Sequence, residues 1–168
     1  MKRLLLAGGI VAAIAIAAVG VLRWRETRKR EEYAAKVLPE QHDEAFVAAD
    51  ECEAGARSLR PTMAVATSRF SFYVTTDRRL LAKDLADVVT PIISSRQTAC
   101  EHARSLLEIY MRTSPVLDTV AIARLAHVHA HILRLEGLAA AMQATRDAIT
   151  AGATDDELRR HLMRLRMN

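Results

Sequence analysis

The sequence is poor in aromatic residues, cysteine, glycine and proline, and each scarcity excludes a class of protein. Aromatic residues make up only 4% of the 168 residues, with one tryptophan, three tyrosines and three phenylalanines. Two cysteines are too few for a disulfide-dense scaffold or a four-cysteine zinc ribbon. Six glycines and four prolines exclude a collagen-like or low-complexity chain. Because 51% of the residues are hydrophobic and 26% are charged, disorder of the whole chain is also excluded.

The positive charge of the chain is confined to its N-terminal segment. Residues 1–38 contain eight basic and three acidic residues, a net charge of +5, whereas residues 39–168 contain 16 basic and 17 acidic residues, a net charge of −1. A nucleic-acid-binding domain carries its basic surface on the folded part. We therefore expect no nucleic-acid partner, and the residues indicate no small-molecule substrate either.

An uncharged run of 19 residues, from Leu4 to Leu22, predicts an N-terminal transmembrane helix. As a helix it would measure about 28 Å, close to the roughly 30 Å thickness of the hydrocarbon core. Basic residues lie on both sides of it, and a tryptophan follows at the position typical of the headgroup boundary. The membrane-flanking residues are Lys2, Arg3, Arg23, Trp24, Arg25, Arg28, Lys29 and Arg30.

Two questions about this segment stay open at the level of the sequence. The run is longer than the apolar core of a signal peptide and lacks a polar region after it, which favours a retained anchor over a cleaved signal. Two basic residues precede the run and six follow it through Lys36, which favours a cytoplasmic C-terminal domain. A short Met-Lys-Arg start is also typical of signal anchors whose domain is exported. The sequence thus predicts a single-pass membrane protein with its soluble side undetermined.

The remaining residues predict an all-α fold in three parts: an anchor over residues 1–22, a charged helical stalk over residues 23–38 and a helical bundle over residues 39–168. Pro39 is expected to interrupt the stalk, and Pro61 is expected at the first turn of a new helix. The elongated, coiled-coil-like bundle is expected to be built on a long antiparallel hairpin of residues 77–112 and 115–151, which have nearly equal length and a short connection.

Several residues predict the ends of these helices. Asp77 can cap the first long segment, Pro91 should kink or break it near Thr90, and Ser114 followed by Pro115 should open the second. Gly152 is expected just after the second segment ends. A capping box at residues 154–157 opens a last short helix. Its apolar stripe consists of Leu158, Leu162 and Leu165.

Histidine and cysteine are the only residues whose pattern suggests a site. His127 and His131 stand one helical turn apart, and antiparallel pairing of the long segments places His102 opposite His127, so these three are the candidate metal ligands. Arg124 and Arg134 flank them and oppose binding of a divalent cation. Cys52 and Cys100 can form a disulfide in an oxidising compartment or stay reduced in the cytosol.

The functional expectation follows from the anchor, the stalk and the absence of a catalytic grouping in the sequence. We expect a single-pass membrane-anchored structural or interaction protein, without catalysis or a cofactor, that contacts the lipid bilayer and a protein partner or a second copy of itself. The alternative is a membrane-tethered sensor or metal-binding module that uses the histidine cluster. Helical hairpins occur in many unrelated systems, so the architecture alone transfers no function.

Overall fold

The computed structural model describes the backbone of residues 2–167 and the side chains of residues 18–33 and 35–165. The chain divides into two compact units, Met1–Gln41 and His42–Asn168. The helices are α1 (Lys2–Thr76), α2 (Arg78–Asp84), α3 (Thr90–Thr113), α4 (Thr119–Thr150) and α5 (Asp155–Met167), with a π-helical turn (Leu85–Val89) between α2 and α3.

The described backbone contains helices and turns and no strand, so the predicted all-α class and helical bundle are confirmed. Among the residues with described side chains, no helix is long and apolar enough to cross a membrane. The predicted transmembrane run, residues 4–22, lies mostly outside those residues, since their description begins at residue 18. Lys2 and Arg3, predicted to flank the run, lie outside them as well.

The expected helix boundaries at Pro39 and Pro61 are wrong, because both prolines lie inside α1. An interior proline removes one backbone hydrogen bond and costs a helix about 3 kcal/mol. Around Pro61 this cost is offset by packing, since Leu59 and Met63 on either side are buried at 6% and 5% exposure. Good helix formers, including Lys36 and Glu40, surround Pro39. The division between the two units falls three residues after Pro39, between Gln41 and His42.

In the unit His42–Asn168 three long helical segments run alternately up and down. Cys52 of α1 is bonded to Cys100 of α3, and Gly55 lies against the aliphatic part of Arg96, so α1 and α3 are antiparallel. A Cβ atom on Gly55 would lie 2.9 Å from Cδ of Arg96, and glycine is what permits this close approach. α3 also packs on α4, and Tyr110 at the end of α3 meets Asp118 at the start of α4, so these two helices are antiparallel as well.

The π-helical turn explains which side chains of the second segment are buried. A regular helix would bury Leu81, Leu85, Val88 and Ile92, as the sequence spacing indicates, but Val88 is 50% exposed. The π-turn adds a residue to one helical turn and rotates the following residues, so Val89 and Ile93 enter the core instead. The predicted break near Thr90 does not occur, because the helical backbone continues through Pro91. The turn before the proline is instead widened, and the Thr90 hydroxyl donates to the Leu85 carbonyl at 2.7 Å.

The turn between α3 and α4 differs from the prediction. Asp118, and not Ser114, caps α4: its Oδ1 accepts the backbone N–H groups of Val120 and Ala121 at 2.9 and 3.0 Å. Ser114 instead bonds within the turn, donating through Oγ to the Val116 carbonyl. Because Asp118 binds two orphan amides where Ser114 would bind one, α4 begins at Thr119, four residues later than Pro115.

The other predicted helix ends are confirmed. Asp77 Oδ1 accepts two backbone N–H groups at the start of α2, and Gly152 adopts a φ of 74° after α4. Thr154 and Glu157 bond reciprocally as a capping box at the start of α5. The leucine stripe of α5 is buried against the bundle at 0%, 4% and 1% exposure for Leu158, Leu162 and Leu165.

Candidate functional site

The disulfide joins two helices in the interior of the bundle. Cys52 on α1 and Cys100 on α3 are each 1% exposed, and their Cα atoms are 4.8 Å apart. Antiparallel packing of α1 on α3 brings the cysteines together although 48 residues separate them in sequence. A disulfide of this kind persists in oxidising compartments and is rare in the cytosol, where thiols are kept reduced.

The structure does not bring His102, His127 and His131 together as a metal site. No group of three or more histidine, cysteine, aspartate or glutamate side chains among the described residues is placed to hold a metal ion. His102 is exposed on α3, whereas His127 faces Glu53 of α1, with 4.0 Å between His127 Nδ1 and Glu53 Oε1. The carboxylate nearest to the α4 histidines is therefore shared with Arg124, which lies 3.8 Å from the same oxygen.

His131 lies half-buried within a cationic neighbourhood. Burial is the largest cause that lowers the pKa of His131 from its ordinary value, followed by the positive charge of Arg134. Glu53 opposes this lowering of the pKa, while His127 and Arg57 reinforce it. Arg134 and Arg57 place positive charge beside the imidazole, and this charge opposes the binding of a cation there. Glu53 and Arg57 could not be placed from the sequence because they lie on α1, at least 70 residues from the histidines.

A network of charged and aromatic side chains connects α1 with α4 near the same place. Arg124 bonds to Asp50 and stands over the Phe46 ring, with its guanidinium carbon 5.4 Å from the ring centroid. The hydrogen bond that Arg124 donates to the Asp50 carboxylate is the largest cause that raises the pKa of the guanidinium. These contacts fix the alignment of α1 and α4 and leave no unpaired acid or base in the network.

Aromatic rings close the end of the bundle at which α1 enters it. His42 stacks on Phe46 with 4.1 Å between ring centroids and meets Tyr110 edge-on at 5.4 Å. The Tyr110 hydroxyl donates to Asp118 Oδ2 at 2.9 Å. Burial and the Asp118 carboxylate raise the pKa of Tyr110, so its hydroxyl stays a donor at neutral pH. The cluster therefore serves to hold the α3–α4 turn.

Two cavities open between helices of this unit, and neither lining carries a group that titrates near neutral pH. The larger, about 400 Å³, lies between α1 and α5 and is lined by small, hydroxyl and apolar residues with one arginine, Arg159. Two of its hydroxyls, on Thr67 and Ser71, donate to carbonyls of their own helix. The second, about 190 Å³, lies between α3 and α4 and contains Gln97, Gln143 and Arg146. General acid–base catalysis needs a proton-exchanging side chain, which these linings do not supply.

The described members of the membrane-flanking set are solvent-exposed on α1. Trp24 is 56% exposed, and the Arg28 guanidinium stands over its ring at 4.6 Å. Arg30 pairs with Glu26 at 3.4 Å. Arg23, Arg25 and Lys29 are exposed as well. This part of α1 therefore presents an indole and several cations to solvent.

Comparison with protein-family models, with curated proteins and with solved structures found no match. The function is therefore argued from the residues of this chain alone. The described residues form a helical bundle with a buried disulfide, cavities without acid–base groups, and several large apolar side chains on the surface. Of the predicted site residues, the structure brings Cys52 and Cys100 together and keeps His102 apart from a metal-binding arrangement.

Proposed function

We propose that this chain is a single-pass membrane-anchored protein that presents a helical bundle to protein partners and has no catalytic role. The observation that carries the proposal is the uncharged run of residues 4–22, bounded by basic residues, on the same chain as a disulfide-closed bundle. The run has the length of a membrane-spanning helix, and inside lipid such a segment must satisfy its own backbone hydrogen bonds as a helix.

We further propose that the bundle lies on the oxidising side of the membrane. The Cys52–Cys100 disulfide supports this orientation, because cytosolic thioredoxin and glutathione would keep the two thiols reduced. The excess of basic residues after the run favours the opposite side by the positive-inside rule. We give the disulfide precedence because thiols are kept reduced in the cytosol.

The interaction role is supported by what the bundle surface displays. Large apolar side chains remain more than half exposed on several helices of the bundle, and contiguous exposed apolar residues mark sites of protein association. The cavities contribute hydroxyl, amide and guanidinium groups, which bind and orient but do not exchange protons near neutral pH. We therefore assign the chain to recognition and not to catalysis.

Alkaline carbonate extraction of membranes tests the anchor. The full chain should remain in the membrane pellet, and the variant Ile14→Arg, which places a charge inside the uncharged run, should be released. Val47→Arg, which adds the same charge to an exposed position of the bundle, is the matched control and should stay in the pellet. Release of the unaltered chain would remove the membrane role from the proposal.

Protease protection combined with thiol labelling tests the orientation. On intact spheroplasts or sealed vesicles, the bundle should be digested from the exported side. Because both cysteines are only 1% exposed, thiols are labelled with a maleimide reagent after denaturation, and the cysteines should be labelled only after reduction. A bundle that is protected from external protease and labelled without reduction would place it in the cytosol and would contradict the proposed side. The proposed membrane anchor would then be judged by the carbonate extraction alone.

A further inference from the structure

One side of α1 in the bundle carries large apolar residues that no helix of the described unit covers. Val47, Val65 and Phe72 are 58%, 64% and 65% exposed. Val47 and Val65 are 18 residues apart, which is five helical turns, and Phe72 follows two turns after Val65. The three side chains therefore share one side of the helix, roughly opposite to the buried residues Leu59 and Phe70.

Small exposed residues continue this side of the helix between the large ones. Ala54 and Ser58 lie in phase with Val47 and Val65, and both are exposed. We name the set Val47, Ala54, Ser58, Val65 and Phe72 the outer stripe. Its spacing of seven and four residues is the spacing of a seam along which two helices pack side by side, and small residues at its centre allow a second helix to approach closely.

The charges along α1 change sign at the middle of the outer stripe. Residues 42–53 contain five acidic residues and no lysine or arginine, whereas residues 54–76 contain three arginines and no acidic residue. Against an identical helix in parallel orientation, acidic residues would face acidic residues and arginines would face arginines. In antiparallel orientation the acidic stretch meets the stretch that contains Arg69, and Arg57 and Arg60 lie near the middle of the pair. A surface that is complementary to itself under a two-fold rotation is what a symmetric dimer requires.

We propose that the outer stripe is a self-association surface, on which a second copy of this chain packs antiparallel about a two-fold axis near Leu59 and Arg60. In this register Val47 lies opposite Phe72 of the second copy, and Ala54 lies opposite Val65. The proposal rests on the interaction role proposed above and names its partner. The antiparallel order puts the residue-42 ends of the two copies at opposite ends of the pair.

One charged pair follows directly from this register. Glu51 and Arg69 stand on the same flank of the stripe, about 40° from its centre, and antiparallel packing brings Glu51 of each copy beside Arg69 of the other. Within its own chain the Arg69 guanidinium already lies 3.6 Å from the Asp84 carboxylate, which orients it. Glu51 of the second copy would add a second carboxylate beside this guanidinium. The two symmetric pairs would flank the apolar contacts of Val47 with Phe72.

Sedimentation equilibrium of the full chain in density-matched detergent tests the surface. The unaltered chain should dimerise, and Val65→Glu or Phe72→Glu should weaken dimerisation at least about tenfold, because each buries a charge against apolar partners. Leu133→Glu is the matched control, since Leu133 is 67% exposed on α4 away from the stripe, and it should leave the dimer unchanged. Circular dichroism and the thiol-labelling pattern should be the same for all variants, because each position is exposed.

Charge exchange tests whether the pair forms between two chains. Glu51→Arg and Arg69→Glu should each weaken dimerisation on their own, because each brings like charges together twice. An equimolar mixture of the two variants should restore the dimer, since every contact in the mixed pair then joins opposite charges. Failure of the mixture to associate better than either variant would overturn the register.

Photocross-linking tests the orientation. A benzophenone amino acid in place of Val65 should cross-link to the second copy around Ala54, whereas a parallel pair would cross-link around position 65. A monomeric unaltered chain, an unchanged dimer in Val65→Glu and Phe72→Glu, or a parallel cross-link would each refute the proposal. Carbonate extraction is independent of these outcomes, so a failed dimer and a failed anchor are told apart.

Discussion

Asp118 controls the single turn that joins the two long helices of the hairpin. One of its oxygens accepts the amides of Val120 and Ala121, and the other accepts the Tyr110 hydroxyl. The Ala121 amide is the largest cause that lowers the pKa of this carboxyl, followed by the Tyr110 hydroxyl. One side chain thereby caps α4 and ties it to the last turn of α3.

We predict that Asp118→Ala lowers the free energy of unfolding by about 1–2 kcal/mol, the usual effect of losing an N-cap, with a further loss from the unpaired Tyr110 hydroxyl. Urea unfolding followed by circular dichroism measures the change. Glu136→Ala, at an exposed position of the same helix, is the control and should change stability by less than about 0.5 kcal/mol. Equal effects of the two substitutions would show that Asp118 does not hold the turn.

His131 gives the protein a defined response to pH. Its pKa is lowered in the folded protein, chiefly by burial and by Arg134 on α4, with Arg57 of α1 and His127 adding to the lowering and Glu53 of α1 opposing it. A group whose folded pKa is below its unfolded value stabilises the fold above the unfolded pKa and loses that contribution as pH falls. The loss should therefore begin near pH 6.5, the ordinary value for histidine.

We predict that stability decreases between about pH 7 and pH 5 and that His131→Gln reduces this decrease. Thermal unfolding across this range measures it. His129→Gln alters an exposed histidine on the same helix and should preserve the slope. An identical pH slope in His131→Gln and the unaltered chain would mean that other groups cause the dependence.

At the scale of elements, the π-helical turn at Leu85–Val89 reconciles two demands on the second segment. Pro91 cannot donate a backbone hydrogen bond, and its ring would press on the carbonyl four residues earlier in a regular helix. Widening the preceding turn relieves this contact and also rotates Val89 and Ile93 into the core. The position of an irregularity near Pro91 could be predicted from the sequence. Regular helical spacing, however, would place Val88 and Ile92 in the core instead of Val89 and Ile93.

We predict that deletion of Val88 converts the π-turn into a regular turn and keeps Val89 and Ile93 buried. The deletion should lower the free energy of unfolding by no more than about 3 kcal/mol, because in a regular helix the Pro91 ring presses on the carbonyl four residues earlier. Pro91→Ala in the deleted chain should recover most of that loss. Urea unfolding measures each step.

Deletion of Ser105, an exposed residue in the regular part of α3, is the comparison. It would rotate Leu107 and Tyr110 by about 100° relative to the preceding turns and should destabilise the fold more than the Val88 deletion does. If both deletions are equally harmful, the π-turn does not act as an inserted residue.

At the scale of the whole molecule, the Cys52–Cys100 disulfide restrains the unfolded chain by closing a loop of 48 residues. We predict that the double variant Cys52→Ala/Cys100→Ala loses about 2–4 kcal/mol of stability and melts about 10 °C lower. Calorimetry or circular dichroism measures the melting temperature.

A reducing agent provides the internal control for this prediction. It should lower the melting temperature of the unaltered chain towards that of the double variant and leave the variant unchanged. A reductant-insensitive melting temperature in the unaltered chain would show that the disulfide contributes no stability.

Local signals in the sequence predicted much of the fold. Asp77, Gly152 and the Thr154–Glu157 box act through residues two to four positions away, so their roles are contained in short segments. The prolines were misjudged for the opposite reason. Whether a helix continues past Pro61 depends on how deeply the residues on either side of the proline are buried. That burial comes from packing against helices distant in sequence.

The candidate site shows the same division. The spacing of the histidines along α4 could be read from the sequence. Glu53 and Arg57, which lie near these histidines, belong to α1, so their proximity could not be predicted from the sequence. The position of His102 relative to α4 depended on the length of the α3–α4 turn, which Asp118 and not Ser114 sets. An error of four residues in that turn is about one helical turn.

The sequence by itself determined the helical class, the caps of α2 and α5 and the separation of a basic N-terminal segment from a nearly neutral remainder, because these follow from composition and from contacts within one or two turns. Only the tertiary structure decided that Cys52 meets Cys100, that Val89 replaces Val88 in the core, and that one side of α1 is left uncovered. These outcomes depend on the rotation and register of whole helices against each other, and helix register is set by the sum of many weak contacts that no single segment contains.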